Sequence, residues 1–285
     1  MRMRSAKRLI AWAALPCLFF GPACSAANKS LTKRTSLESG KSLAAGDYEK
    51  ALSGFREAAT KNPRNLDLAA EYVRTVEEIK QTADRALGQR DFARAGGIYR
   101  ILLDNFADFG AFAAKLTFKK ARLESALKEC RIAAVENSAA QAAKAGSFAK
   151  AIGIFQTALK ENPDYAELTA KYRGTLNEIK AIGDDAFGVE DFVRAGMINV
   201  LLLRNFASFE GLKPPVAFSR EALRDCITAC RETLTKSGLA EYRKGNLAKA
   251  IAVWEGLLSF DPDNAEIKKA VTTAKTQLDG IKKKH

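Results

Sequence analysis

Apolar side chains recur every three or four residues along most of the chain. One such run follows Asp91, and its members are Phe92, Ala95, Gly96, Tyr99, Leu102, Leu103 and Phe106. This spacing places them on one face of an amphipathic α-helix. No stretch of the sequence alternates apolar and polar residues as a half-buried strand does. The pattern predicts an all-α fold, with long helices over residues 66–87, 119–145, 219–244 and 264–284.

The helical pattern is duplicated with a period of about 100 residues. Residues 62–109 and 162–209 align without a gap, and 24 of these 48 positions are identical. The identical pairs include Tyr72/Tyr172, Asp91/Asp191, Phe92/Phe192, Gly96/Gly196, Phe106/Phe206 and Phe109/Phe209. Self-similarity at a fixed period is the signature of repeat architectures, in which each module packs on its neighbours. The sequence therefore predicts one stack made of units 46–145 and 146–244 and a partial unit 245–285, which the last helix closes.

A second pattern lies between the long helices. Its first occurrence is Gly46-Asp47-Tyr48, followed by Ala51, Phe55, Ala58 and Pro63. It returns as Gly146, Phe148, Ala151, Phe155, Ala158 and Pro163, and again as Gly245, Leu247, Ala250, Trp254, Leu257 and Pro262. This pattern resembles the tetratricopeptide repeat (TPR) family. The resemblance implies a TPR-like α-solenoid of antiparallel helix hairpins over residues 35–285.

Each position of the pattern has a physical role. Glycine at the turn accepts the left-handed backbone that closes a helix hairpin, and we expect N-caps at Asp47, Ser147 and Asn246. The prolines stop one helix and can begin the next within its first turn. Gly96 and Gly196 are expected to mark close helix crossings.

Residues 1–24 read as an export signal. A basic segment over residues 2–8 precedes an apolar run over residues 9–20, which is shorter than the about 20 residues of a membrane span. The small residues before Cys24 resemble the lipobox of bacterial lipoproteins, which implies acylation of Cys24 and, with Ser25 next, sorting to the outer membrane. The alternative is ordinary cleavage after Ala26 or Ala27. On either reading the mature protein is exported to the periplasm, and residues 25–34 are expected to form a polar tether.

The charge and the rare residue types restrict the possible chemistry. The formal net charge is +13, and charges of both signs are interspersed along the helices, as on a solvated surface. The only histidine is His285, which disfavours histidine-based catalysis and histidine-rich metal sites. Cys130, Cys226 and Cys230 are expected as small buried residues, with a Cys226–Cys130 or an intermolecular bridge as alternatives. We expect no enzyme, no metal and no cofactor, and the export signal disfavours nucleic acid.

The TPR resemblance also implies where a partner would bind. Such stacks hold peptides or helices in a groove lined by the first helix of each hairpin. By position, the groove would include Glu136, Ala140 and Lys144, and in the last hairpin Thr235, Leu239, Tyr242 and Arg243. The lysine and asparagine that clamp a carboxylate in some family members are replaced by Ser36 and Gly40, so that clamp is not expected.

One helix differs between the two copies in a way that suggests a second contact surface. Ala93, Gly97 and Arg100 of the first copy become Val193, Met197 and Val200, so the second helix is apolar nearly all round. A helix of this kind is buried on every side. Either a partner chain or a second copy of the protein covers the surplus face, or the helix over residues 219–244 does.

These features together favour a non-enzymatic protein-interaction scaffold of the bacterial cell envelope. In this interpretation a TPR lipoprotein binds a partner helix or peptide in its groove. The alternative is that the basic surface binds an anionic envelope polymer or lipid.

Overall fold

The computed structural model describes residues 22–282, so residues 1–21 of the export signal predicted over residues 1–24, and residues 283–285, lie outside the described residues. Between residues 22 and 282 the chain forms eleven α-helices. They are α1 (Pro22–Ala44), α2 (Tyr48–Lys61), α3 (Leu66–Gly88), α4 (Phe92–Asp104), α5 (Lys120–Lys144), α6 (Phe148–Glu161), α7 (Ala166–Gly188), α8 (Phe192–Asn205), α9 (Arg220–Arg243), α10 (Leu247–Leu258) and α11 (Ala265–Lys282). Two 3₁₀ segments, Phe106–Lys115 and Phe206–Ser208, follow α4 and α8. None of these helices combines the length and the apolar character that crossing a membrane requires.

The chain divides into two compact units between Cys130 and Arg131. In the first unit, α1 packs on α2, α2 on α3 and α3 on α4, and α1 also contacts α3, the first helix of the next hairpin. In the second unit, consecutive helices from α6 to α11 pack in the same order. The predicted fold class, an all-α TPR-like solenoid of helix hairpins, is confirmed. The repeat units 46–145, 146–244 and 245–285 describe sequence similarity and stay a prediction.

Glycine makes the three TPR-like hairpin turns possible. Gly46, Gly146 and Gly245 have φ of 77°, 73° and 79°, in the left-handed region that residues with a Cβ rarely adopt. In each turn the residue after the glycine donates its backbone N–H to a carbonyl five residues earlier, as Asp47 does to Ser42 at 2.8 Å. This bond satisfies a carbonyl at the end of the first helix and reverses the chain direction.

The long helices of the duplicated stretch use a different turn. Arg90 and Glu190 both have φ of 62°, so a charged residue takes the left-handed position that glycine occupies elsewhere. Asp91 and Asp191 then cap α4 and α8, because each carboxylate accepts the backbone N–H of the arginine three residues later. The sequence analysis did not predict the left-handed residue before either cap.

The other predicted caps and the prolines of the pattern differ from the prediction in detail. The side chain of Asp47 accepts the N–H of Lys50 at 3.1 Å, whereas Ser147 and Asn246 stand at the N-cap position without a side-chain cap bond. Each proline of the pattern lies in the turn between two helices instead of in the first turn of the next one. Each following helix begins three residues after its proline, at Leu66, Ala166 and Ala265.

The segment predicted to be a polar tether is helical instead. Residues 25–34 belong to α1, which begins at Pro22. Thr32 of this segment is buried and accepts a hydrogen bond from Asn65 Nδ2 at 3.2 Å. Thr32 of the predicted tether therefore packs inside the fold, next to the start of α3.

The aromatic residues that recur in the two copies form equivalent clusters. In the first unit Tyr72 stacks on Phe55, with ring centroids 5.7 Å apart, and meets the edge of Phe109 at 5.9 Å. In the second unit Tyr172 stacks on Phe155 at 5.3 Å and meets Phe209 at 6.4 Å. These contacts join the TPR-like hairpin to the longer one. They explain why the same aromatic positions recur in the sequence.

The two glycines expected at close crossings are not equivalent. A Cβ on Gly196 would lie 2.7 Å from the ring of Phe260, which is too close for any real Cβ. A Cβ on Gly96 would meet the Cβ of Cys130 at 3.5 Å, an ordinary contact. Only the glycine of the second copy is therefore required by packing.

Candidate functional site

The first unit contains a cleft between α1 and α3, the first helices of two successive hairpins. Its volume is about 680 Å³, and its lining residues include Lys29, Lys33, Ser36, Leu37, Gly40, Lys41, Asp67, Glu71 and Arg74. Ser36 Oγ donates to Glu71 Oε2 at 3.1 Å, which ties the floor of the cleft together. Arg74 forms an ion pair with the same carboxylate at 2.6 Å. Ser36 and Gly40, which replace the two residues of the family's carboxylate clamp, both line this cleft.

Charge and exposure define what this α1–α3 cleft can bind. Four cationic residues, Lys29, Lys33, Lys41 and Arg74, stand against two carboxylates, Asp67 and Glu71. Leu37 lies among them with 62% of its surface exposed. An exposed leucine within a cationic rim suits a ligand that offers an apolar anchor beside acidic groups. The sequence analysis placed groove residues only in the later hairpins and did not identify this cleft.

The predicted groove residues of the middle hairpin lie on α5. Glu136 forms an ion pair with Lys171 of α7 at 2.7 Å, in the position of the Ser36–Glu71 contact one repeat earlier. Ala140 and Lys144 are exposed. The register of the two copies is therefore the same along this face, but the polar link is an ion pair in one and a neutral-to-charged hydrogen bond in the other.

The predicted residues of the last hairpin lie on α9. Leu239 and Arg243 are exposed, and Thr235 is half-buried. Tyr242 packs against Trp254 of α10, with the ring centroids 5.8 Å apart. Tyr242 therefore serves the packing of its own hairpin, which leaves Leu239 and Arg243 as the accessible members of the set.

The apolar face of α8 is largely used inside the second unit. Val193 is half-buried and touches Gly256 of α10, where an added Cβ would come within 2.8 Å of Val193 Cγ2. Val200 is half-buried in the same core cluster. Met197 is 50% exposed. Helices of the same unit, α10 among them, therefore cover Val193 and Val200. Contact with a partner stays a prediction for Met197.

The three cysteines beyond the export segment are free thiols. Cys130 and Cys230 are buried and Cys226 is half-buried. Burial raises the pKa of the Cys130 thiol. Asn199 Nδ2 lies 3.3 Å from Cys226 Sγ, a contact that the sequence did not predict. The available signal was Tyr99 changing to Asn199 between two otherwise similar copies. Within residues 22–282 no group of three or more His, Cys, Asp or Glu side chains could hold a metal ion.

Comparisons with known proteins add little to this description. No family model matches the chain, and no curated protein matches it. Among solved structures, the chain is similar to the crystal structure of TTC0263, a thermophilic TPR protein from Thermus thermophilus. The identity is 16%, the match covers 85% of this chain and 98% of that one, and the TM-score is 0.15. The fold assignment therefore depends on the helix geometry described above.

Proposed function

We propose that the protein is a non-enzymatic interaction scaffold whose α1–α3 cleft binds an acidic, amphipathic helix or peptide of a partner protein. The observation that carries the proposal is the exposed Leu37 within the cationic rim of a cleft of about 680 Å³. Leu37 contributes about 1–2 kcal/mol to binding when a ligand covers its exposed surface completely. The cations then select a ligand with carboxylates beside its apolar residue.

The cellular setting belongs to the same proposal. The basic segment and the short apolar run ahead of Cys24 support export, and acylation of Cys24 would hold the protein at the outer membrane. Residues 1–21 lie outside the described part of the chain, and of Cys24 only the backbone is described, near the start of α1. Edman or mass-spectrometric analysis of the mature N-terminus would distinguish acylated Cys24 from cleavage after Ala26 or Ala27.

A second candidate is the binding of an anionic polymer or lipid by the basic surface. It is favoured by the net charge of +13 and by exposed lysines such as Lys268 and Lys269 on α11. This kind of binding depends on total charge and weakens steeply with salt. Binding in the cleft depends on the place of the charges and on Leu37.

The two functions can be separated with one pair of matched variants. A photoreactive amino acid at Ala44, an exposed residue that also lines the cleft, is used to capture the partner in the cells that make the protein, with a control at Val189, which is 77% exposed. The same experiment is repeated with Lys33→Glu/Lys41→Glu in the cleft and with Lys268→Glu/Lys269→Glu on α11. Both pairs change the net charge equally.

We expect a discrete crosslinked protein at position 44 and none at position 189. Reversal of the cleft charges should weaken capture by about tenfold or more, since two favourable charge contacts become repulsive, and the α11 variant should capture normally. Equal loss in both variants would favour the polymer or lipid function and reject the cleft.

A further inference from the structure

The two copies differ around an equivalent aspartate, which is Asp84 on α3 and Asp184 on α7. In the first copy Tyr99 donates its hydroxyl to Asp84 Oδ1 at 2.6 Å, and Lys80 forms an ion pair with Asp84 Oδ2 at 2.6 Å. Burial and this hydrogen bond raise the pKa of Tyr99, and the positive charge of Arg122 acts in the opposite direction. The guanidinium of Arg122, at the start of α5, therefore lies near the hydroxyl that bonds Asp84.

In the second copy two of these three groups are missing. Lys180 still forms the ion pair with Asp184, through Oδ1. Asn199 stands in place of the tyrosine, and Ala222 stands in place of the arginine. Lys180 is the only described residue that bonds the Asp184 carboxylate, whose side chain is 56% exposed, against 45% for Asp84. The second oxygen, Oδ2, thus lacks the donor that the first copy supplies.

An open cleft lies where the arginine is missing, bounded by α7 and the start of α9. Its volume is about 810 Å³. Two of its lining residues, Ala181 and Ser219, are smaller than their counterparts in the first copy, a glutamine and a lysine. The other lining residues include Asn177, Lys180, Asp184, Phe218 and Ala222. The first copy therefore shows which kind of side chain this α7–α9 cleft lacks.

The charges of α9 beside the cleft favour a cation. Glu221 and Asp225 are exposed, and they flank Ala222 on one side, about 100° and about 60° around the helix axis. The first copy has alanine and serine at these two positions. Arg220 and Arg224 lie about 160° from Ala222, on the opposite side of the helix. A cation beside Ala222 therefore meets new carboxylates, and both arginines of this turn point elsewhere.

We propose that the α7–α9 cleft binds an arginine side chain of a partner polypeptide, in the place that Arg122 takes in the first copy. The guanidinium donates to Asp184 Oδ2 and lies against the half-buried ring of Phe218, which its planar shape allows. The ion pair of Asp184 with Lys180 does not prevent this contact, because the equivalent ion pair coexists with Arg122 in the first copy.

The ligand is a segment of a polypeptide, because one small cation does not account for the whole cleft. The cleft is open and larger than a single side chain, so residues beside the arginine also contact α7 and α9. An ion pair exposed to water contributes little by itself, and the flanking contacts supply the remaining affinity. The site lies in the second unit, so it and the α1–α3 cleft of the first unit can fail independently.

The test is an NMR titration of the folded, isotope-labelled protein. The probe is a capped pentapeptide with one central arginine between pairs of alanines, and its match carries citrulline, which keeps the shape of arginine without its charge. We expect saturable shifts at the amides of Lys180, Asp184, Ser219 and Ala222. The citrulline peptide should bind about fivefold more weakly or worse, because the contact with the carboxylate is no longer charge-assisted.

Two arginine substitutions on α9 separate the cleft from the overall charge. Ala222→Arg supplies the side chain of the first copy and should weaken binding of the arginine peptide about tenfold or more, because it fills the cleft. The matched control is Thr228→Arg, which adds the same charge at an exposed position outside the cleft and should bind within about twofold of the unchanged protein. Asp184→Asn should weaken binding about fivefold or more.

Several results would overturn the proposal. They are equal binding of the arginine and citrulline peptides, equal weakening by Ala222→Arg and Thr228→Arg, shifts confined to the first unit, or no saturable shift up to about 10 mM peptide. Binding of N-acetylarginine amide as tightly as the pentapeptide would show that the cleft takes a free small cation, and would overturn the assignment to a polypeptide.

Discussion

The tightest contact of the last hairpin joins a glycine to a tryptophan. A Cβ on Gly238 of α9 would lie 2.2 Å from Trp254 Nε1 of α10. The aligned pair in the preceding hairpin is Ala139 with Phe155. The smaller residue on the first helix thus accompanies the larger ring on the second, because the backbones of both helices are fixed by the same turn.

This relation predicts a compensating pair of substitutions. Gly238→Ala alone should lower the free energy of unfolding by about 2–3 kcal/mol, since the ring of Trp254 is buried and must move. Gly238→Ala/Trp254→Phe reproduces the pair of the preceding hairpin and should recover much of that loss. Chemical denaturation of the two single variants and the double variant gives the coupling energy. Purely additive effects would contradict the prediction.

Two equivalent tyrosines differ in the partners of their hydroxyl groups. Tyr72 is buried, and its hydroxyl has no partner among the described residues. Burial, and secondarily the charge of Asp108, raise the pKa of Tyr72 to about 12. The Tyr172 hydroxyl lies 3.5 Å from both Ser208 Oγ and Gln156 Nε2. The tyrosine hydroxyl is therefore less well hydrogen-bonded in the first unit than in the second.

Tyr72→Phe should leave stability at neutral pH unchanged or raise it by up to about 1 kcal/mol, because an unpaired hydroxyl is removed. Tyr172→Phe should lower it slightly. The alkaline range gives a second readout. Because the pKa of Tyr72 is higher in the folded state, its contribution is complete below pH 10 and is lost as pH rises from about 10 to 12. That loss, about 2–3 kcal/mol, should be absent in Tyr72→Phe when stability is measured against pH.

At the scale of elements, α1 is unusual in the face that it buries. Over residues 29–44 its buried side chains are Thr32, Thr35, Ser39 and Ser42, whereas the aligned residues of α5 are Ile132, Val135, Ala139 and Ala142. Ser39 Oγ donates to Ala51 O at 3.3 Å. Hydroxyl groups supply less burial energy than the methyl groups of α5. The first helix is thus held by hydrogen bonds where its counterpart is held by apolar contact.

Thr35→Val copies Val135 and should stabilise the protein by about 0.5–1 kcal/mol, because a buried hydroxyl becomes a methyl group of similar size. The melting temperature should rise by about 1–4 °C. The control is Thr60→Val on the exposed surface of α2, where Thr60 Oγ1 donates to Arg56 O at 2.8 Å. That variant should show no gain, and a similar rise in both would mean that helix propensity is responsible.

The whole molecule consists of two compact units, each with its own buried clusters. Repeat proteins transmit destabilisation mainly to adjacent modules, because each module contacts only its neighbours. A defect in the last hairpin is therefore expected to act locally.

Hydrogen exchange can test this expectation. In Gly238→Ala, amide protection should fall most in α9, α10 and α11 and least in α2 and α3. Mass spectrometry of peptides from both units, compared with the unmodified protein, measures the difference. A uniform fall across both units would show that the chain unfolds as one cooperative body.

The sequence by itself determined the local features of this protein. The helical period, the left-handed glycines at the three TPR-like turns and the caps at Asp47, Asp91 and Asp191 all follow from rules that act within a few residues of each other. The duplication also fixed the recurring aromatic positions, since a copied module must bury the same side chains. For these reasons the fold class was predictable, along with most helix bounds.

Contacts between distant residues were decided only by the tertiary structure. The α1–α3 cleft depends on the approach of residues 33–41 to residues 67–74, and Thr32 is buried because Asn65, just ahead of α3, lies against it. Val193 and Val200 are covered by helices of their own unit, and Cys226 meets Asn199 through the packing of α8 on α9. A local pattern specifies which side chains are apolar or charged, but packing geometry determines which of them meet.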